Sequence, residues 1–118
     1  MPEKMKFGTK AVHAGVEPDP SNGAIMTPIY QTSTYVQEGV GKHKGYEYAR
    51  SQNPTRTQLQ NSLAALENGT HGLVFGSGLA AIDAVLKLLE MGDEVISTND
   101  LYGGTYRIFT TIFAKFGI

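Results

Sequence analysis

A phenol and a guanidinium stand two residues apart in Tyr48-Ala49-Arg50, and Ser51-Gln52-Asn53-Pro54-Thr55 follows. Side chains two apart in an extended segment point the same way. This pair can therefore deliver a hydroxyl and a bidentate cation to one anion, such as a phosphate; a strand-edge pair with no ligand would use the same residues. Asn-Pro-Thr is a helix-start signal. A second anion site is offered by Gly76-Ser77-Gly78. Glycines let a ligand approach the backbone, and a helix beginning there has unpaired N–H groups and a partial positive charge. The amides of Gly78 and Leu79 are natural phosphate donors, although a plain strand-to-helix turn would look the same. Gly76 to Ala81 also spells G-x-G-x-x-A, the dinucleotide fingerprint, and Asp100 follows where a ribose-binding acid belongs. A third candidate is the loop Asp100-Leu101-Tyr102-Gly103-Gly104-Thr105. There Tyr102 can present a flat ring to a planar ligand with its hydroxyl free, or pack as an ordinary loop tyrosine. Arg107 can bind a carboxylate from the following helix, or lie on the surface.

The elements that must position these groups differ along the chain. Residues 1–52 read as an irregular N-terminal arm, interrupted by Gly15, Pro18, Pro20, Gly23, Pro28, Gly39, Gly41 and Gly45. Ile25, Met26, Ile29, Tyr30 and Tyr35 are too many apolar residues for a free tail, so the arm is expected to pack on something, with a partner subunit as the candidate. Residues 53–118 are regular. Asn53 and Pro54 predict a helix start and Gly69 its end, with Leu59, Leu63 and Leu66 on one face. His71 to Phe75 reads as a strand, and Leu79 to Glu90 as a helix ending at Gly92. That helix is apolar almost all round and suits burial in a larger body. Asp93 to Thr98 reads as a second strand and Thr105 to Phe116 as a third helix. Alternating helices and strands predict an α/β domain with a parallel sheet. Two strands do not complete such a sheet, and the last helix is followed by Gly117 and Ile118, where a next strand should begin. This predicts the N-terminal piece of a longer protein.

The totals narrow the function classes. The 118 residues carry a net charge of −1 with 41% hydrophobic and 18% charged residues. No basic stripe points to nucleic acid or an anionic membrane. With no cysteine, disulfides and thiolate metal sites are out. His13, His43 and His71 lack metal-ligand spacing. No apolar run approaches the ~20 residues of a membrane span, and no signal peptide is read at the start. A cytoplasmic location is the default expectation.

Taken together, Tyr48-x-Arg50-x-x-Asn53-Pro54-Thr55, Ser77-Gly78-Leu79-Ala80-Ala81 and Leu101-Tyr102-Gly103-Gly104-Thr105 resemble, in order and spacing, the Cys/Met-metabolism enzymes that use pyridoxal phosphate (PLP). Pro28 to Tyr35 resembles the same family, so the likeness covers nearly the whole chain. It implies a fold-type I, aspartate aminotransferase-like enzyme of the trans-sulfuration group: cystathionine γ-synthase, cystathionine γ-lyase and their relatives.

By that resemblance, Gly78 and Leu79 bind the PLP phosphate through backbone N–H, and Tyr102 stacks on the pyridine ring and helps activate the substrate. Tyr48 and Arg50 reach the phosphate of a neighbouring subunit's PLP, so sites are shared across a dimer within a tetramer. Arg107 matches a position that holds a substrate carboxylate in some members. The implied reactions are β/γ-elimination or γ-replacement on sulfur amino acids or activated homoserine, with PLP as electron sink. The family's Schiff-base lysine matches none of Lys4, Lys6, Lys10, Lys42, Lys44, Lys87 and Lys115. The chain alone is then expected to be inactive. Gly104, where methionine γ-lyases often carry cysteine, leans toward the cystathionine enzymes. The competing readings are an NAD-type module on Gly76 to Ala81 with Asp100, and a non-catalytic fragment whose arm makes subunit contacts.

Overall fold

Among the residues that the computed structural model describes, 5–118, the chain forms helices α1 (Phe7–His13), α2 (Pro54–Leu66), α3 (Gly78–Leu86) and α4 (Gly103–Arg107). The last runs on as a π-helical turn, Ile108–Ile112, and a 3-10 turn, Phe113–Phe116. The elements form two units, one ending at Val74 and the other spanning Phe75–Ile118.

In the first unit, α2 starts as its sequence predicts. The Asn53 side chain accepts hydrogen bonds from the N–H groups of Thr55 (2.9 Å) and Arg56 (3.4 Å), and Pro54 needs no partner in the first turn. The helix stops at Leu66, before the expected Gly69. Asn68 takes a left-handed conformation at φ 56°, a position asparagine tolerates, and Gly69 N–H closes the end on the Ala64 carbonyl at 2.8 Å.

The arm departs further from the sequence reading. Its beginning is helical, and α1 packs on α2 of the same chain. The Lys10 ammonium donates to Asn68 Oδ1 (2.5 Å) and lies 3.5 Å from the Ala65 carbonyl, placing a cation at the negative end of α2. Gln58 donates its side-chain amide to the Gly15 carbonyl. Gly15 has φ +73°, and a Cβ there would lie 2.7 Å from the Asn61 carbonyl carbon, so only glycine fits. Part of the arm therefore has its support inside its own chain. Ile25, Met26 and Ile29 remain exposed.

In the second unit, Ser77 caps α3 by accepting from Ala80 N–H at 3.1 Å. The helix ends at Leu86, short of Glu90, because the chain tightens there. Leu88 and Leu89 donate to the carbonyls three residues back, and the Asp93 carboxylate accepts from Glu90 N–H at 2.8 Å. Leu86, Ile108 and Phe113 form the buried core, with Ile82, Leu89, Phe109 and Ile118 against it. The π turn has a packing reason: its i→i+5 register brings Ile108 and Phe113, five apart, toward one face. Val85 and Leu88 stay exposed, so the burial expected all round α3 is incomplete.

The parallel sheet expected from the sequence is not formed among the described residues. The segments 71–75 and 93–98 run without a ladder, and backbone pairing is limited to one antiparallel bridge, Thr34 with Tyr48. A strand needs a neighbour for its N–H and C=O groups, and a parallel one needs a crossover partner. Leu73 and Ile96, central to the two segments, are 75% and 96% exposed.

Replacing Asn53 with alanine removes the cap and should cost about 1 kcal/mol at the start of α2. Faster amide hydrogen exchange at Thr55 and Arg56 is the expected readout.

Candidate functional site

Tyr48 is delivered by a narrow excursion of the chain. Ala49 N–H donates to the Ser33 carbonyl (2.8 Å) and Tyr35 N–H to the Glu47 carbonyl (3.1 Å), on either side of the Thr34–Tyr48 bridge. The rings of Tyr35 and Tyr46 lie 5.7 Å apart inside it. Beyond Tyr48 the backbone is not extended. Ser51 and Gln52 N–H both donate to the Tyr48 carbonyl, at 3.1 and 2.9 Å, and close a turn over Ala49 and Arg50. The pair meets all the same: the Arg50 guanidinium carbon is 4.9 Å from the centre of the Tyr48 ring, within cation–π range. Among the described residues, neither the Tyr48 hydroxyl nor the Arg50 guanidinium makes a hydrogen bond, so both can accept a ligand.

The turn that carries Arg50 is held by Arg56, and the chain at Pro28 and Tyr30 by Asn53 and Thr55. Arg56 donates from Nη1 and Nη2 to the Arg50 carbonyl, both at 3.4 Å, and from Nη2 to the Ser51 carbonyl. Thr55 Oγ1 accepts from Tyr30 N–H at 2.9 Å and donates to the Pro28 carbonyl at 3.1 Å. Asn53 Nδ2 donates to the Tyr30 carbonyl at 3.0 Å. The available signal was polar residues in the first helical turn, which can reach back to the chain before it. Sequence pattern marks Asn53 as a cap and a motif residue but gives no sign of the backbone that Arg56 reaches.

Gly78 and Leu79 open α3 in the second unit. As first-turn residues their N–H groups have no partner within the helix, and neither makes any other hydrogen bond among the described residues. Nothing lies within 4 Å of where a Cβ would sit at Gly76 or Gly78, so a ligand can reach the backbone. Tyr102 occupies the cap position of α4, and its carbonyl accepts from Thr105 (2.8 Å) and Tyr106 (3.1 Å). Its side chain is 75% exposed. The ring lies over Gly104: a Cβ there would come within 2.5 Å of Tyr102 Cε1. Arg107 ends α4, is exposed, and has no hydrogen bond or ion pair among the described residues.

Within the second unit, two open amides at a positive helix end and an exposed phenol ring have the chemistry to meet a phosphate ester on a flat ring; within the first unit, a hydroxyl beside a guanidinium has the chemistry to meet an anion. A hollow of about 520 Å³ bounded by Leu86, Met91, Phe113, Phe116 and Ile118 contains none of these groups. Among the described residues no cluster of three or more His, Cys, Asp or Glu could hold a metal, and no helix is long and apolar enough to cross a membrane.

Residues 8–118 match the model of the Cys/Met metabolism PLP-dependent enzyme family. The chain belongs to this family. The chain is 54% identical over 112 residues to a probable cystathionine gamma-synthase of Herpetosiphon aurantiacus, covering 95% of this chain and 35% of that one. A cystathionine beta-lyase of Coxiella burnetii is 51% identical over 110 residues, covering 93% of this chain and 28% of its own length. The crystal structure of a cystathionine gamma-lyase from Lactobacillus plantarum, complexed with L-serine, superposes with a TM-score of 0.85 at 43% identity, over 96% of this chain and 29% of that one. The chain thus spans about a third of the length of the curated relatives it matches. Family membership leaves the dinucleotide reading of Gly76 to Ala81 and Asp100 without support.

Gly104→Ala places a methyl where the Tyr102 ring rests. Because that ring is exposed and can swing away, stability should change by less than about 0.5 kcal/mol. The Tyr102 ring resonances should nevertheless shift in an NMR spectrum.

Proposed function

We propose that this chain is the N-terminal part of a PLP-dependent trans-sulfuration enzyme, acting by β/γ-elimination or γ-replacement on sulfur amino acids or activated homoserine. The observation that carries the proposal is the pair of unpartnered amides at the open start of α3, in a chain whose family uses PLP. When bound, the cofactor supplies an electron sink for carbanionic charge next to the substrate amine.

In this reading the Gly78 and Leu79 amides hold the cofactor phosphate, aided by the positive end of α3. The Tyr102 ring supports the pyridine face, and its hydroxyl is free to move a proton at the substrate. Arg107 takes the substrate carboxylate, which a guanidinium can grip in two-pronged fashion. Tyr48 and Arg50 lend a hydroxyl and a cation to the phosphate in a second copy of the chain, within a dimer of dimers. The lysine that anchors the cofactor comes from outside residues 1–118. Of the seven lysines here, Lys10 sits on the end of α2, Lys44 faces Glu38 and Lys87 pairs with Asp83. The segments 71–75 and 93–98 become strands of a mostly parallel sheet in the whole enzyme, which works in the cytoplasm. The exposed Leu73, Val85 and Ile96 supply the apolar surface for that burial.

Titration of the complete apoenzyme with PLP, followed by absorbance, tests the assignment. Arg50→Ala should weaken PLP binding by about 1.5–3 kcal/mol, since it removes a charge-assisted contact. An unchanged affinity rules out the lent guanidinium. In steady-state kinetics, Tyr102→Phe should lower kcat more than PLP affinity, because the ring remains. Full turnover in that variant would remove the hydroxyl from proton transfer.

A further inference from the structure

We propose that Arg56 is a positioning residue for the Tyr48–Arg50 pair, fixing the turn from which the Arg50 guanidinium is presented to phosphate. This rests on the reading of Tyr48 and Arg50 as phosphate-binding groups. The Arg56 fork spans two successive carbonyls, those of Arg50 and Ser51. On its other side the turn is closed by Ser51 and Gln52 N–H on the Tyr48 carbonyl. Both groups flanking the exposed Arg50 side chain are therefore tied down.

A second observation singles out Arg56. It lies in the first turn of α2, where a cation is opposed by the positive end of the helix. Among the described residues it has no carboxylate partner; the ion pairs there are Lys44–Glu38 and Lys87–Asp83. Its compensation is the pair of carbonyl dipoles of the Arg50 turn. A guanidinium suits two adjacent acceptors through its planar fork, whereas an ammonium is a single point charge. Holding the backbone of the turn, with the Tyr48 ring beneath the Arg50 guanidinium, leaves that long side chain fewer conformations to lose when it binds.

The test is a double-mutant cycle on the PLP dissociation constant of the complete apoenzyme, read by absorbance titration. Arg56→Ala should weaken binding about fivefold to tenfold. In an Arg50→Ala background the same change should weaken it by less than about twofold, because the group it positions is gone. Arg56→Lys, which retains the charge but not the fork, should behave like Arg56→Ala. Wild-type affinity in Arg56→Ala overturns the proposal, as do equal losses in both backgrounds, which mean general damage, and full affinity in Arg56→Lys, which means bare charge. If Arg56→Ala does not assemble, Arg56→Lys with and without Arg50→Ala carries the same cycle. An Arg50→Ala enzyme with unchanged affinity sinks the phosphate reading of Arg50, and this proposal with it. A weakened Arg50→Ala beside an unaffected Arg56→Ala sinks the positioning role alone.

Discussion

The first turn of α2 is the point on which the first unit depends. Its cap residue and two of its polar side chains tie down chain from earlier in the sequence. Asn53 caps the helix and holds the Tyr30 carbonyl. Thr55 grips the backbone at Pro28 and Tyr30, and Arg56 grips it at Arg50 and Ser51. Segments some 25 residues apart, such as Tyr30 and Thr55, are thereby brought to one place. Loop segments rich in glycine and proline bury little apolar surface, so hydrogen bonds from a rigid helix end are an effective way to order them. The cap is thus more than a stop signal for one helix. It is the joint between that helix and the segment carrying Tyr48 and Arg50.

The second unit uses different means. Its groups with chemical potential are backbone amides and a tyrosine ring, and both depend on glycine. Gly76 and Gly78 leave the start of α3 open, while Gly104 leaves room for the Tyr102 ring. A small apolar core of Leu86, Ile108 and Phe113 holds α3 and the α4 segment together. The π turn that aligns Ile108 with Phe113 directly follows Arg107. The packing of Ile108 with Phe113 is therefore a consequence of one backbone irregularity.

Local signals were read from the sequence where one residue settles the matter. The start of α2 at Asn53-Pro54, the start of α3 within one residue of the expected Leu79 and the open Gly76 turn follow from capping and glycine geometry, which involve only a few neighbours. The family is legible for the same reason, since its motifs are short and keep their spacing. Where several residues compete the reading failed. The end of α2 moved from Gly69 to Leu66 because Asn68 also accepts a left-handed backbone. The glycines and prolines of the arm predict irregular chain, yet Lys10, Ala14 and Gly15 give α1 a seat on α2.

What the sequence determined by itself is therefore the set of candidate groups and their order: a phenol with a guanidinium, a pair of helix-start amides, a loop tyrosine. These follow from residue type and spacing. The tertiary structure alone decided how they are held. The stacking of Arg50 on Tyr48 across a turn, the Arg56 fork on that turn, and the rest of the Tyr102 ring on Gly104 all depend on side chains meeting backbone from elsewhere along the chain. No local pattern encodes such meetings, because their partners are fixed by packing rather than by sequence distance.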